Sequence, residues 1–249
     1  MNHVQKVIGK PLCCACAVDS TVLHAVNDVA TSASKGTEAT LKATTHLLNH
    51  APTRPDAEVI HGASDMILRV DSDTADLVAS KARSGAGGCH GLSCNDGSPF
   101  NGPALVLAKV IKNVMALAAE AKIGALFVNA QEAAGLQNCL RAMGFPQLAT
   151  MMKTDDMTAN GIINNAMKQK QSKAIDMRFH WTRDQTRQGQ FHICWESGKN
   201  DMGDCHAEHH PASHHRLVKP IHTHVEGKSP TQLQGCVEMM NGKQFEGQP

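Results

Sequence analysis

The stretch that most constrains this chain is residues 66–73, Met-Ile-Leu-Arg-Val-Asp-Ser-Asp. Met66, Leu68 and Val70 alternate with Ile67, Arg69, Asp71 and Asp73, the period-2 pattern of a half-buried strand. Asp71 and Asp73 therefore share the face opposite Met66, Leu68 and Val70. Carboxylates on the covered face of a strand are costly unless a metal ion or another cation sits beside them. A strand running out into an acidic turn explains the same pattern without any site, so the choice falls to the rest of the chain.

The 249 residues suffice for one large domain, or one medium domain with appendages, and 41% hydrophobic with 19% charged residues predicts a globular chain. A formal net charge of +1 excludes a strong overall field, so any nucleic-acid surface must be local. No apolar run reaches the ~18 residues of a membrane span, and the opening residues lack the apolar centre of a secretory signal. The nine cysteines, an odd number, read as reduced thiols, which predicts an intracellular protein, in a cytoplasmic particle or the nucleus and not secreted. Tyrosine is absent while histidine reaches 15. Single transitions turn Tyr codons into His or Cys, so biased mutation of a decaying gene is one cause; chance and specialised usage are the others.

Along the chain, residues 1–57 read as two helices, 17–31 and 35–49, closed by a Pro-rich connector at 51–57. Cys13, Cys14 and Cys16 read as buried thiols rather than a soft-metal site. Residues 81–93 carry Gly85, Gly87 and Gly88 but no G-K-[ST], so they predict a turn into a second, antiparallel strand instead of a phosphate loop. Residues 104–111 predict a third strand. Residues 113–128, rich in Ala, Leu and Met, predict a helix with Glu120 on its apolar face, and a second helix follows over 131–143. A strand over 148–154 ends in Asp155 and Asp156. A helix from 158 then leads into the most basic stretch, where Lys168, Lys170, Lys173, Arg178, Arg183 and Arg187 are interleaved with Phe179 and Trp181. A nucleic-acid backbone is the natural partner of such a stretch, and a solvated amphipathic helix is the plainer reading. A last strand over 190–195 and a short helix with Asp204 follow, and little order is expected over 216–249.

This arrangement resembles the ribonuclease H domain of copia-type retrotransposon polyproteins. VDSDTADLVASKARSGAGG resembles that family's acid-bearing strand with an R-S-x-x-G element after it. NVMALAAEAKIGAL is similar to its S-S-x-E-A-E helix, with Ala118 and Ala119 for the serines and Lys122 for the second acid. KTDDMTANGIINN is similar to D-N-x-x-A, with Asp156 for Asn. KAIDMRFHWTRDQTRQGQF follows K-H-I-D-x-R-x-H-x-x-R-E, and NDMGDCHAEHH stands where the family has N-x-A-D-x-x-T-K. The resemblance implies an α/β, ribonuclease H-like five-stranded mixed sheet flanked by helices over 60–215, with 1–57 as a helical connection after a missing reverse transcriptase palm.

It further implies hydrolysis of the RNA strand of RNA–DNA hybrids by two Mg2+ ions, or Mn2+, on Asp73, Glu120, Asp155 and Asp204. Two such ions about 4 Å apart activate a water and relieve charge on the leaving oxygen, and hard oxygen ligands hold them. A reverse transcriptase domain is the implied protein partner. His180 falls at the family's helical histidine and is expected to pack against the sheet rather than to shuttle protons. Departures at Ala118, Ala119, Asp156, Ala207 and Glu208 favour the alternative, a non-catalytic ribonuclease H-like remnant that binds nucleic acid or only spaces domains.

Overall fold

The computed structural model describes residues 2–34, 36–53, 57–79, 82–94, 101–115, 117–164 and 177–224. Three helices come first, α1 (Asn2–Ala17), α2 (Leu23–Ser32) and α3 (Glu38–His50), with a 3-10 turn at Ser20–Val22. The sequence predicted two; residues 2–17 form a full helix in spite of Pro11, which stands in it. Strands β1 (Ile67–Ala79), β2 (Arg83–Ser93) and β3 (Pro103–Val110) precede the 25-residue α4 (Ala118–Ala142). Then come β4 (Thr150–Thr154), α5 (Met157–Ile163), α6 (Met177–Arg187), β5 (Phe191–Trp195), α7 (Asp204–Ala207) and α8 (Ala212–His222).

The five strands form one mixed sheet in the order β3-β2-β1-β4-β5. β1–β2 and β2–β3 pair antiparallel, whereas β1–β4 and β4–β5 pair parallel. The expected α/β class and five-stranded mixed sheet flanked by helices are borne out. On one face Leu68, Val70, Met152, Phe191 and Ile193 pack against Ile123, Leu126 and Ala133 of α4, Ile163 of α5 and Phe179 of α6. Full burial of a side chain such as Leu68 or Phe191 is worth about 1.5–3 kcal/mol each. On the other face Cys89, Val106 and Ala108 pack against Ile8 and Ala15 of α1, Leu23, Val26 and Val29 of α2, and Leu47 of α3. The N-terminal helices thus complete the sheet's second core layer, with Asn27 Nδ2 donating to Ala108 O at 2.7 Å across the contact.

The helices expected over 113–128 and 131–143 are one element. Asn129, between the two expected ranges, continues the helix with its side chain turned inside the fold, donating to Ser72 Oγ and Gly87 O, both at 2.9 Å. The close approach that permits this explains the glycine run of β2. A Cβ on Gly88 would meet Asn129 Oδ1 at 1.8 Å, and one on Gly87, facing the opposite side, would meet Gly203 O at 2.4 Å and Ala207 N at 2.6 Å. Order does not stop at residue 216. α8 carries buried Val218, Lys219 and His222, and Lys219 Nζ reaches Asp19 Oδ2 at 2.7 Å. Little order beyond 216 is therefore corrected as far as residue 224; residues 225–249 lie outside the described residues.

Candidate functional site

Parallel pairing of β1 with β4, which sets Arg69, Val70 and Asp71 beside Met151, Met152 and Lys153, brings the ends of both strands to one place. Asp73 and Asp155 meet there. The segment before α7 crosses the same strand end: a Cβ on Gly203 would lie 3.0 Å from Asp71 O and 3.1 Å from Asp73 N. That close approach delivers Asp201 and Asp204. Oxygens of Asp73, Asp155 and Asp201 lie within 4.8 Å of one another, while Asp204 groups with His210 and His214 beside them. As the alternation predicted, Asp71 and Asp73 are on the face away from Leu68 and Val70: their β2 partners, Cys89 and Gly87, face the α2 and α7 layer.

A lysine stands among these carboxylates. Lys122 Nζ donates to Asp73 Oδ1 and to Asp155 Oδ1, the latter at 2.5 Å. The line Lys122, Leu126, Asn129, Ala133, Gln137, Leu140 steps by three and four along α4, so Lys122 continues the stripe that faces the sheet. Glu120, two positions earlier, points about 160° away around the helix; it is half-buried and is not one of the three converging acids. Glu120 was expected in the centre; the sheet-facing position at this end of α4 is held by Lys122.

Burial dominates the electrostatics. It pushes Asp71 up to about 6, with Lys153 opposing and Glu196 adding to the rise. Burial also raises Asp73 against the pull of Lys122. Asp201 is raised well above the carboxylate range by burial and by the Asp73, Asp71 and Asp155 charges. It raises Asp204 too, while the His210 ring, 3.2 Å from Asp204 Oδ1, pulls the other way. Lys122, by contrast, is held above its ordinary value: burial would lower it, and the Asp73 and Asp155 carboxylates prevail. Lys153 is likewise kept charged by Asp71 and by Glu196, at 2.6 Å, against its burial. A cluster of titratable groups this perturbed marks a candidate functional site.

The implied magnesium can be tested against this donor set. All the converging donors are carboxylate oxygens, as a hard cation requires, and Asp201 Oδ2 is buried with no hydrogen-bond partner. Yet the Lys122 ammonium already engages two of the three acids, and the fourth expected ligand, Glu120, is not among them. The residues present do not fit a pair of bridged ions.

Other expected positions divide as follows. Asp156 caps α5, its Oδ1 accepting from Thr158 N at 2.6 Å and Ala159 N at 2.9 Å. Lys168, Lys170 and Lys173 lie outside the described residues, while Arg178, Arg183 and Arg187 sit on α6. Phe179 and Trp181 are not free for base stacking: Phe179 is buried in the core, and Trp181 meets Phe127 edge to face at 5.4 Å. His180 is exposed, which corrects its expected packing role; its neighbour Phe179 takes the buried position. Asp201 was missed because it lies in a turn, where no periodicity reports burial.

No protein-family model matches the chain, and no curated protein is detectably similar to it. Solved structures are similar to part of it. The N-terminal ribonuclease H domain of a Mycobacterium tuberculosis protein, fused to maltose-binding protein, is 14% identical with a TM-score of 0.41, over 57% of this chain and 91% of that one. A ribonuclease H isolated from compost is 12% identical with a TM-score of 0.42, over 56% and 91%. The prototype foamy virus protease–reverse transcriptase is 15% identical with a TM-score of 0.37, over 57% of this chain and 20% of that one. Among the described residues no helix is long and apolar enough to cross a membrane.

Proposed function

We propose that this chain is a ribonuclease H-like module that binds RNA–DNA hybrid without cleaving it, its acidic centre closed by Lys122. The observation that carries this reading is the Lys122 ammonium held between Asp73 and Asp155. Hydrolysis of a phosphodiester needs an activated water and relief of the charge on the leaving oxygen. An ammonium neutralises carboxylates but offers no coordination position for that water. A divalent ion reaching these oxygens has to displace the Lys122 ammonium, a largely buried charge that then loses both of its carboxylate partners. The sequence resemblance supplies the partner class, an RNA–DNA hybrid and a reverse transcriptase domain of a copia-type polyprotein. Backbone contact is assigned to Arg187, exposed at the end of α6, with Lys168, Lys170, Lys173, Arg178 and Arg183 as the remainder of the basic stretch.

A second reading, an active hydrolase, draws on Asp201 Oδ2, whose missing partner is what a cation-binding oxygen leaves behind when no cation is present. In that reading Lys122 withdraws and Asp73, Asp155, Asp201 and Asp204 hold a magnesium or manganese ion. One experiment separates the two. The full chain is mixed with an end-labelled RNA–DNA hybrid, and binding and cleavage are followed together with magnesium or manganese present. Salt-sensitive binding without cleavage is expected. Metal-dependent cleavage that Asp73→Asn abolishes establishes the second reading, and failure to bind the hybrid overturns both.

A further inference from the structure

On the sheet face that carries α7, four side chains with sulfur or imidazole donors meet in the interior. Cys89 comes from β2, Cys205 and His206 from α7, and His222 from α8. Their exposures are 0%, 6%, 0% and 1% respectively. Cys205 Sγ lies 3.5 Å from His206 Nε2 and 3.7 Å from His222 Nε2. Donor atoms of Cys89, His206 and His222 all lie within 4.8 Å of one another, and the two imidazoles meet edge to face at 5.3 Å.

A tetrahedral zinc ion, with Zn–S of about 2.3 Å and Zn–N of about 2.0–2.1 Å, sets its sulfur and nitrogen ligands about 3.5–3.6 Å apart. Both measured separations are of that size. Hydrogen bonding among the same groups accounts for less. Cys205 has one S–H proton for two imidazole nitrogens and the Met202 carbonyl, 3.8 Å away.

We propose that Cys89, Cys205, His206 and His222 form a structural zinc site that ties α7 and α8 to the sheet. The set is closed to solvent, as structural zinc sites are: Cys89, His206 and His222 converge, and Cys205, beside both imidazoles, supplies the fourth ligand. Sulfur and imidazole select a softer ion than the carboxylates of the acidic centre, so the two clusters do not compete for one metal. Two thiolates balance the charge of the ion, which leaves the buried assembly neutral. Binding of the ion deprotonates both thiols, as thiolate ligation requires. The site is independent of whether the acidic centre cleaves anything.

The test uses the full chain, expressed with zinc and desalted, with metal content measured by mass spectrometry; the same chain is then loaded with cobalt(II) and its visible spectrum recorded. About one zinc per chain is expected, with tetrahedral bands and a thiolate-to-cobalt charge-transfer band in the cobalt form. His214→Ala probes the partly exposed Asp204, His210 and His214 group, the other histidine cluster able to take a metal, and should leave both readings unchanged. Cys205→Ser should lose about half of the charge-transfer intensity, because the Cys89 thiolate remains. Should that variant fail to fold, the wild-type spectrum still decides. Zinc far below one equivalent, a cobalt form without thiolate charge transfer, or metal lost in His214→Ala would each overturn the proposal.

Discussion

Lys122 Nζ lies 2.5 Å from Asp155 Oδ1, and the same ammonium donates to Asp73, so one lysine of α4 ties together the ends of two parallel strands. The lysine side chain is 15% exposed. Removing one partner of a buried ion pair costs about 3–5 kcal/mol because the charges left behind stay desolvated. With Asp155 partly open to solvent the lower end applies. Lys122→Met should therefore lose about 3 kcal/mol in a urea melt without divalent ions. A loss under about 1 kcal/mol would mean that the pair is solvent-screened like a surface bridge.

Gly87 of β2 and Gly135 of α4 make a matched pair. Gly87→Ala drives a methyl group into the Gly203 and Ala207 backbone, which cannot step aside without moving α7. It should cost about 3 kcal/mol or more. Gly135 is exposed on α4 with nothing within 4 Å of the position of its Cβ. Gly135→Ala should raise stability by about 0.8–1 kcal/mol through helix propensity. Equal and small effects at the two positions, read by thermal unfolding, would refute the packing described for β2.

Asp19 and Lys219 join the N-terminal helical layer to α8 through a buried pair at 2.7 Å. Burial alone would raise Asp19, but hydrogen bonds from Lys219 and Thr21 hold it below its ordinary value. A carboxylate depressed in this way contributes stability above its unfolded pKa, near 4, and that contribution is lost as pH falls through the lower folded value. Lys219→Met should cost about 3–5 kcal/mol at neutral pH. It should also flatten the loss of stability seen in wild type below about pH 4. An unchanged acid limb in the variant would show that Asp19 owes nothing to Lys219.

Among the described residues of the proposed hybrid contact, Arg187 is exposed at the end of α6. Arg187→Ala should weaken hybrid binding about equally for all sequences and reduce the salt slope by about 0.9. Fluorescence anisotropy over a salt series measures both. A change confined to one sequence would point to base readout instead.

Legibility in the sequence followed periodicity. β1 and its paired aspartates could be read because alternate residues face alternate sides, and Asp71 and Asp73 lie where that rule puts them. The stripe from Leu126 to Leu140 continues back to Lys122, so the lysine's inward position was readable too; the resemblance to an acid-bearing motif drew the choice to Glu120 instead. Asp201 could not be read, since its burial depends on how closely Gly203 lies against β1. α8 was hidden by composition. Its histidines and Pro220 suggested a polar tail, while burial of Val218 and His222 arises only from tertiary packing.

The central claim is that Lys122 stands where a divalent ion would otherwise bind. Calorimetric titration of magnesium into the folded wild-type chain and into Lys122→Glu tests it most directly. The account predicts no saturable binding to wild type at magnesium concentrations that saturate Lys122→Glu, where a carboxylate joins Asp73, Asp155 and Asp201. Wild-type chain that binds magnesium as tightly as the variant would contradict it.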